Sequence, residues 1–286
     1  MNDAAETLMT LETVRLQRLG KVALLTLNRP PQLNAMNRRM LADIHLVLDC
    51  VEADDRIAAL VLTGAGKAFC SGFDLKEQMD ARPAGIAAWR KILQDDFDAV
   101  IRFWRLSKPT IAAVNGHAVA SGFELALCCD VTLAAADASF GLPELKFGAG
   151  IVVMILPWLI GAKKAKEIVL TGAENISATE AERLGLVNRV VLPERLLDEA
   201  LDMARRLAVI DPALVTATKA AINQSYDRMG MADALQAALE KDLLIEAEGS
   251  PDKAAFMDIV RTRGMRAALD WRDRRFDGVA VASPPP

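Results

Sequence analysis

The chain repeats one pattern: a short apolar run, a turn of glycine or asparagine, then a stretch of helical periodicity. That repetition narrows what it can fold into. Val22–Leu27 reads as a strand stopped by Asn28-Arg29-Pro30-Pro31, and residues 57–63 form an apolar strand that runs into a turn at Gly64 and Gly66. Thr110–Val114 is a third buried strand, ended by Asn115-Gly116, and Val131–Ala135 is a fourth. Between them, Asn34 or Asn37 can cap a helix in which Met40, Ile44, Val47, Leu48 and Val51 share one stripe. Residues 87–106 predict a second helix and residues 123–130 a short buried one. Strand–turn–helix units in series predict an α/β layered core of parallel character. From about Leu196 the composition shifts to Ala, Leu, Glu, Arg and Lys at helical spacing. The expected division is therefore an α/β core over residues 1–205 and a helical region over residues 206–286, with residues 278–286 as a frayed tail.

A net charge of −4 over 286 residues supplies no basic field for nucleic acid or an anionic membrane. Cys50, Cys70, Cys128 and Cys129 show no CxxC spacing, and two of them are adjacent. Neither a disulfide framework nor a metal site is expected, and reduced thiols point to a cytoplasmic setting. Residues 1–10 carry Asp3 and Glu6 and no apolar stretch, so no targeting segment is predicted. The longest uncharged run, residues 147–162, is interrupted by Pro157 and glycines. It falls short of the roughly 20 apolar residues of a membrane span and reads as a buried segment. The glycines at 64–66 and 148–150 do not form a dinucleotide fingerprint, so no nicotinamide cofactor is expected.

Two glutamates carry the chemical signal. Glu124 lies in Ala118-Val-Ala-Ser-Gly-Phe-Glu-Leu125, and Glu144 in Phe140-Gly-Leu-Pro-Glu144. Upstream, Gly72-Phe73 follows a strand and a glycine turn, which leaves the Phe73 amide free to point into a cleft. Ser121-Gly122 sits where a loop enters a helix, and the first amides of a helix lack intrahelical partners. Preorganised backbone amides can hold negative charge that develops on a carbonyl oxygen, one donor being worth roughly 3–4 kcal/mol. Positioned carboxylates move protons, each contributing on the order of 10²–10⁴-fold. Any one of these glutamates alone would read as a helix-terminal or loop acid; the pair in one frame with the Phe73 turn reads as a site.

The order of these pieces resembles the crotonase family, also called the enoyl-CoA hydratase/isomerase family. Gly72-Phe73-Asp74-Leu75 stands at the first oxyanion turn, Ala120-Ser121-Gly122-Phe123-Glu124 at the second, and Gly141-Leu142-Pro143-Glu144 at the second acid. The likeness runs from Leu27-Asn28-Arg29-Pro30 to Phe276. It implies a spiral of ββα units with a helical C-terminal domain, a CoA-thioester substrate, and a trimer or dimer of trimers. It further implies an enoyl-CoA hydratase needing no cofactor, with Glu124 and Glu144 as acid and base and the Phe73 and Ser121 amides as the oxyanion hole. Cys70, Gly72, Asp74, Leu75, Lys76 and Gly122 would surround the substrate. The alternatives are an enoyl-CoA isomerase, an acyl- or aryl-CoA lyase, or a noncatalytic RNA-binding or scaffold member. Phe73 and Ser121 depart from the small residue and the glycine common at those places. Residues 151–156, wholly apolar, are expected to face an apolar acyl tail. His117 reads as a loop residue, Cys70 as packing, and Asp74 equally as a cap.

Overall fold

The structure of the protein, a computed structural model, describes residues 5–81 and 83–277. Asp3 and the tail over residues 278–286 lie outside the described residues. The strands are β1 (Glu6–Thr10), β2 (Val14–Leu19), β3 (Val22–Leu27), β4 (Ala59–Gly64), β5 (Ala68–Cys70), β6 (Thr110–Val114), β7 (His117–Val119), β8 (Val131–Ala135), β9 (Ser139–Gly141), β10 (Ile176–Ser177) and β11 (Arg189–Val191). A seven-stranded sheet has the order β1-β2-β3-β4-β6-β8-β11, and a four-stranded sheet the order β10-β9-β7-β5. From β3 to β11 the larger sheet is parallel.

The two orders interlock. Each of β4, β6 and β8 enters the larger sheet, and the next strand, β5, β7 or β9, joins the smaller one. Helical chain then leads back to the larger sheet, so successive ββα turns advance as a spiral. The hand-over is braced by polar side chains: Asn115, after β6, accepts from the Gly64 amide at 3.1 Å and donates to Gly66 O at 2.9 Å.

The apolar runs form the elements expected of them because their faces are covered on both sides. All residues of β3 and β6 are buried. The helix Arg38–Ala53 presents Met40, Ile44, Val47, Leu48 and Val51 to the sheet, and burying each contributes on the order of 1.5–3 kcal/mol. Asn37, not Asn34, caps it, accepting from the Met40 amide at 2.9 Å. The second helix runs Gly85–Arg105, against the expected 87–106. The buried helix runs Ser121–Leu127 rather than 123–130, so Ser121 and Gly122 belong to its first turn. The strands that sequence reading missed are mostly β5, β7, β9, β10 and β11, of two or three residues, too short to show a period.

Residue 205 falls inside the helix Leu196–Leu207, whose buried face (Leu196, Ala200, Leu201, Ala204) packs on β4, β6 and β8. This helix serves the sheet although it reads like the helices after it. Those are Pro212–Arg228, Met231–Glu248, Pro251–Arg263 and Met265–Arg274. Met231, Leu235, Leu239 and Leu243 join the main core, so apolar packing continues across the expected boundary. Phe147, Phe256 and Val260 form a smaller cluster against Leu75 and Met79. Among the described residues no helix is long and apolar enough to cross a membrane. The run 147–162 is buried at Phe147 and over most of 151–156, half-buried over the rest and exposed at 161–162, with a short helix, Leu156–Ile160, between the positive-φ glycines Gly148 and Gly161.

Candidate active site

The first turn of the site is set by how Phe73 pairs. Met36 donates to Gly72 O at 2.8 Å and accepts from the Asp74 amide at 2.9 Å, a parallel bridge that flanks Phe73 on both sides. In such a bridge the N–H of the flanked residue points the opposite way. Among the described residues the Phe73 amide has no backbone acceptor. Asp74 holds the turn from beneath: it pairs with Arg29 at 2.9 Å and caps the helix Leu75–Ala81 through the Lys76 and Glu77 amides.

The second turn comes against the first. A Cβ on Gly72 (φ +92°) would lie 2.9 Å from Ala120 Cβ and 3.4 Å from Ser121 N, so only glycine lets the two turns meet. Ala120 itself has φ 55° and ψ −134°, a region costly for a residue with a side chain, and its amide is held by Gly141 O at 2.8 Å. This kink starts the buried helix abruptly and leaves the Ser121 amide without a backbone acceptor among the described residues. Two free amides therefore come together at the mouth of the fold.

Glu124 projects from the first turn of that helix and is 1% exposed. Its Oε1 accepts from the Val153 amide at 3.1 Å, while Oε2 is buried with no partner. Glu144 begins a 3-10 turn, Glu144–Phe147, directly after Pro143; it too is buried with Oε2 unpartnered. The two elements are tied together by the Ala120–Gly141 hydrogen bond and by Phe123 against Phe140, with ring centroids 5.0 Å apart. Burial is the main cause raising both carboxyls above the usual range. For Glu124 the Val153 amide, and then the Ser121 hydroxyl, oppose it by favouring the ionised form. Glu144 is pushed further up by the neighbouring charge of Glu124. Each carboxyl therefore disfavours ionisation of the other, and the buried pair holds a proton more tightly than a free carboxyl does.

The other expected site residues divide. Cys70 requires correction: it is fully buried and its thiol donates to Asn34 O, so it supports the turn and offers nothing to a ligand. Burial lifts that thiol to about 12, which makes it inert. Gly122 is a close-approach position, where a Cβ would meet Cys70 O at 2.1 Å. Leu75 packs into the Phe147–Phe256 cluster. Lys76 lines a cavity of about 960 Å³ with Met79, Trp89, Glu246, Lys253 and Met257. Residues 151–156 do not line that cavity; they are buried except for Met154, and what they offer the site is the Val153 amide. His117 is exposed and bonded to Ser139 Oγ, outside the carboxylate pair.

Sequence reading missed the residues that the C-terminal helices bring in. Asp242, Glu246 and Lys253 are buried near the glutamates, and Lys253 Nζ pairs with Glu246 and lies 4.6 Å from the Trp89 ring centroid. The only trace of this in the sequence is Gly148-Ala149-Gly150. A Cβ on Gly148 would meet Ser250 Oγ at 2.1 Å, and one on Gly150 would meet Asp242 Oδ1 at 1.7 Å.

Fold and site together define a class: a two-sheet α/β spiral that brings a buried carboxylate pair up to two free backbone amides, a device for acid/base chemistry next to a carbonyl group. The family model described as enoyl-CoA hydratase/isomerase matches residues 17–257, and the chain belongs to that family. It is 39% identical over 227 residues to the short-chain-enoyl-CoA hydratase of Clostridium acetobutylicum, covering 76% of this chain and 83% of that protein. It is 36% identical over 279 residues to the crotonyl-CoA hydratase of Syntrophomonas wolfei, covering 94% and 99%. The crystal structure of an enoyl-CoA hydratase/isomerase from Xanthobacter autotrophicus Py2 superposes with a TM-score of 0.93 at 53% identity, over 94% of this chain and all of that one.

Proposed function

We propose that the protein is an enoyl-CoA hydratase, adding water across the double bond of a 2-enoyl-CoA thioester. The observation that carries this reading is the pair of buried glutamates, each with one unpartnered oxygen, beside the free Phe73 and Ser121 amides. The thioester oxygen accepts from both amides, which stabilise the enolate as it forms. Glu124, whose ionised form is favoured by the Val153 amide, would take a proton from water while the hydroxide adds to the β-carbon. Glu144, which retains its proton, delivers it to the α-carbon. The product gains the elements of water, its hydroxyl from the water and its α-hydrogen from Glu144; the water's proton is left on Glu124, and its return to Glu144 resets the pair. The reading needs no cofactor beyond the CoA carried by the substrate, whose anionic part would meet Lys76, an exposed residue that lines the cavity.

Isomerisation, also named by the family, needs one base serving the α and γ carbons; two retained carboxyls favour hydration. The reading includes self-association as a trimer or dimer of trimers. Its support is the helix Pro212–Arg228, which buries no residue and exposes Leu214 and Ile222 beside an apolar cavity of about 550 Å³. Four free cysteines suit a reducing, cytoplasmic setting. The test is loss of conjugated absorbance with crotonyl-CoA and longer 2-enoyl-CoAs. Hydration of none of them, with migration of the double bond in a 3-enoyl-CoA, would replace hydratase by isomerase.

A further inference from the structure

Asp242, on the helix Met231–Glu248, is buried at 3% exposure, and among the buried carboxylates of the described residues it alone leaves both oxygens without a hydrogen-bond partner. Its Oδ1 lies against Gly150, where only the missing Cβ leaves room. One turn later Glu246 accepts from the Gly150 amide at 3.4 Å, and Ser250, capping the next helix, donates to Gly148 O at 3.1 Å. The C-terminal helices thus grip residues 148–150, between Glu144 and the Val153 amide that holds Glu124.

We propose that Asp242 is a positioning residue for the glutamate pair: through its contact with Gly150 and its buried carboxylate, which no hydrogen bond satisfies, it keeps one proton on Glu124 and Glu144 together, so that one carboxyl remains an acid while the other acts as a base. The proposal rests on the acid/base reading above. The charges around Asp242 come from every element packed there. Lys253 faces it from the helix Pro251–Arg263, Glu246 from its own helix, and Asp96, itself paired with Arg38, from the helix Gly85–Arg105. Glu124 and Glu144 complete the set, and the Asp242 charge raises both of them. Lys253 favours the ionised form of Asp242, but its ammonium is shared with Glu246 and set over Trp89. Loss of the second proton from the pair would place three carboxylates about one dry segment, a cost that extends the singly protonated state to higher pH. Burial raises Asp242 itself to about 6, so its influence is present above that pH and fades below it.

The experiment is the pH profile of kcat/KM for an enoyl-CoA in Asp242→Asn, with circular dichroism to follow folding. Removing a negative charge lowers the affinity of the pair for its proton, so the alkaline limb moves to lower pH. The expected shift is about one unit, the scale of one neighbouring charge at an effective dielectric of about 20. The loss is confined to pH above about 6, KM changes little, Asp242→Ser shifts the limb in the same direction, and Asp242→Glu restores it. A folded Asp242→Asn and Asp242→Ser with an unmoved limb would overturn the proposal. Failure of both neutral variants to fold, with Asp242→Glu folded, overturns it equally, since the charge then serves the fold. If Glu124→Gln and Glu144→Gln abolish hydration and the Asp242 variants keep the wild-type profile, only this inference falls. A wild-type protein without hydratase activity removes the reading beneath it.

Discussion

Asn34 and Glu124 are both polar side chains sunk in the core, and the fold treats them in opposite ways. Asn34, in the turn after β3, uses its whole amide: Oδ1 accepts from the Arg29 amide at 2.9 Å, and Nδ2 donates to Ala65 O at 2.9 Å and Ala68 O at 2.8 Å. Asp130 is handled the same way, accepting from the Thr110 amide and hydroxyl and pairing with Lys219 at 2.7 Å. Glu124 and Glu144 each keep one buried oxygen unpaired. An unpaired buried acceptor costs roughly 1–3 kcal/mol, so native folds rarely leave one without a use. In the Asn34 region polar burial locks the hand-over between sheets; around Glu124 it leaves an acceptor free, which the proposed reaction would use.

The largest effect should come from removing proton exchange at the pair. Glu124→Gln and Glu144→Gln should each lower kcat by about 10²–10⁴-fold with KM little changed, because the amide keeps the shape and cannot accept or give the proton. Wild-type turnover in either variant removes that residue from the chemistry. Next in size is the loss of the brace. Asn34→Ala strands the Arg29 amide and two carbonyls and places alanine at φ 55°, so the denaturant midpoint should fall by an amount equivalent to about 2–4 kcal/mol. An unshifted midpoint would mean that the turn holds without it.

The contrast also predicts a pH-dependent gain. Glu144 is raised in the folded state, so its contribution to stability is fully present below the unfolded carboxyl value and is lost as pH rises through the folded one. Glu144→Gln cannot ionise and should melt a few degrees above the wild-type protein at pH 8, roughly 2–4 °C per kcal/mol, with the gap closing towards pH 4. A difference independent of pH would show that Glu144 is not held in its protonated form. The smallest effect belongs to Ser121→Gly, which keeps the backbone donor and should retain most of kcat. Because the hydroxyl favours ionised Glu124, a slight movement of the profile to higher pH is expected. A collapse of kcat would give that hydroxyl a direct role.

Much of this was readable before any coordinates. The long elements declared themselves, since β3, β6 and β8 begin and end where the apolar runs do. Glu124 and Glu144 stood out because local turn chemistry surrounds them: glycine where backbones must meet, and proline before the second acid. The caps were half readable. Asn34 and Asn37 offer the same side chain three residues apart, and only the packed turn shows that Asn37 caps the helix while Asn34 ties two loops together.

The sequence by itself determined the alternation of strand and helix, the family, and the two glutamates as candidates for the site, because each is written in neighbouring residues through period, turn type and spacing. The tertiary structure decided what depends on partners distant in the chain. It buried Cys70 under the turn that it had been expected to line, and it made residues 151–156 a clamp on Glu124 through the Val153 amide. It also brought Asp242 from a helix that reads as an ordinary charged surface to a dry position against Gly150. Desolvation and the sum of nearby charges raise both glutamates above the usual carboxyl range, and these are properties of the closed packing that no local stretch of residues encodes.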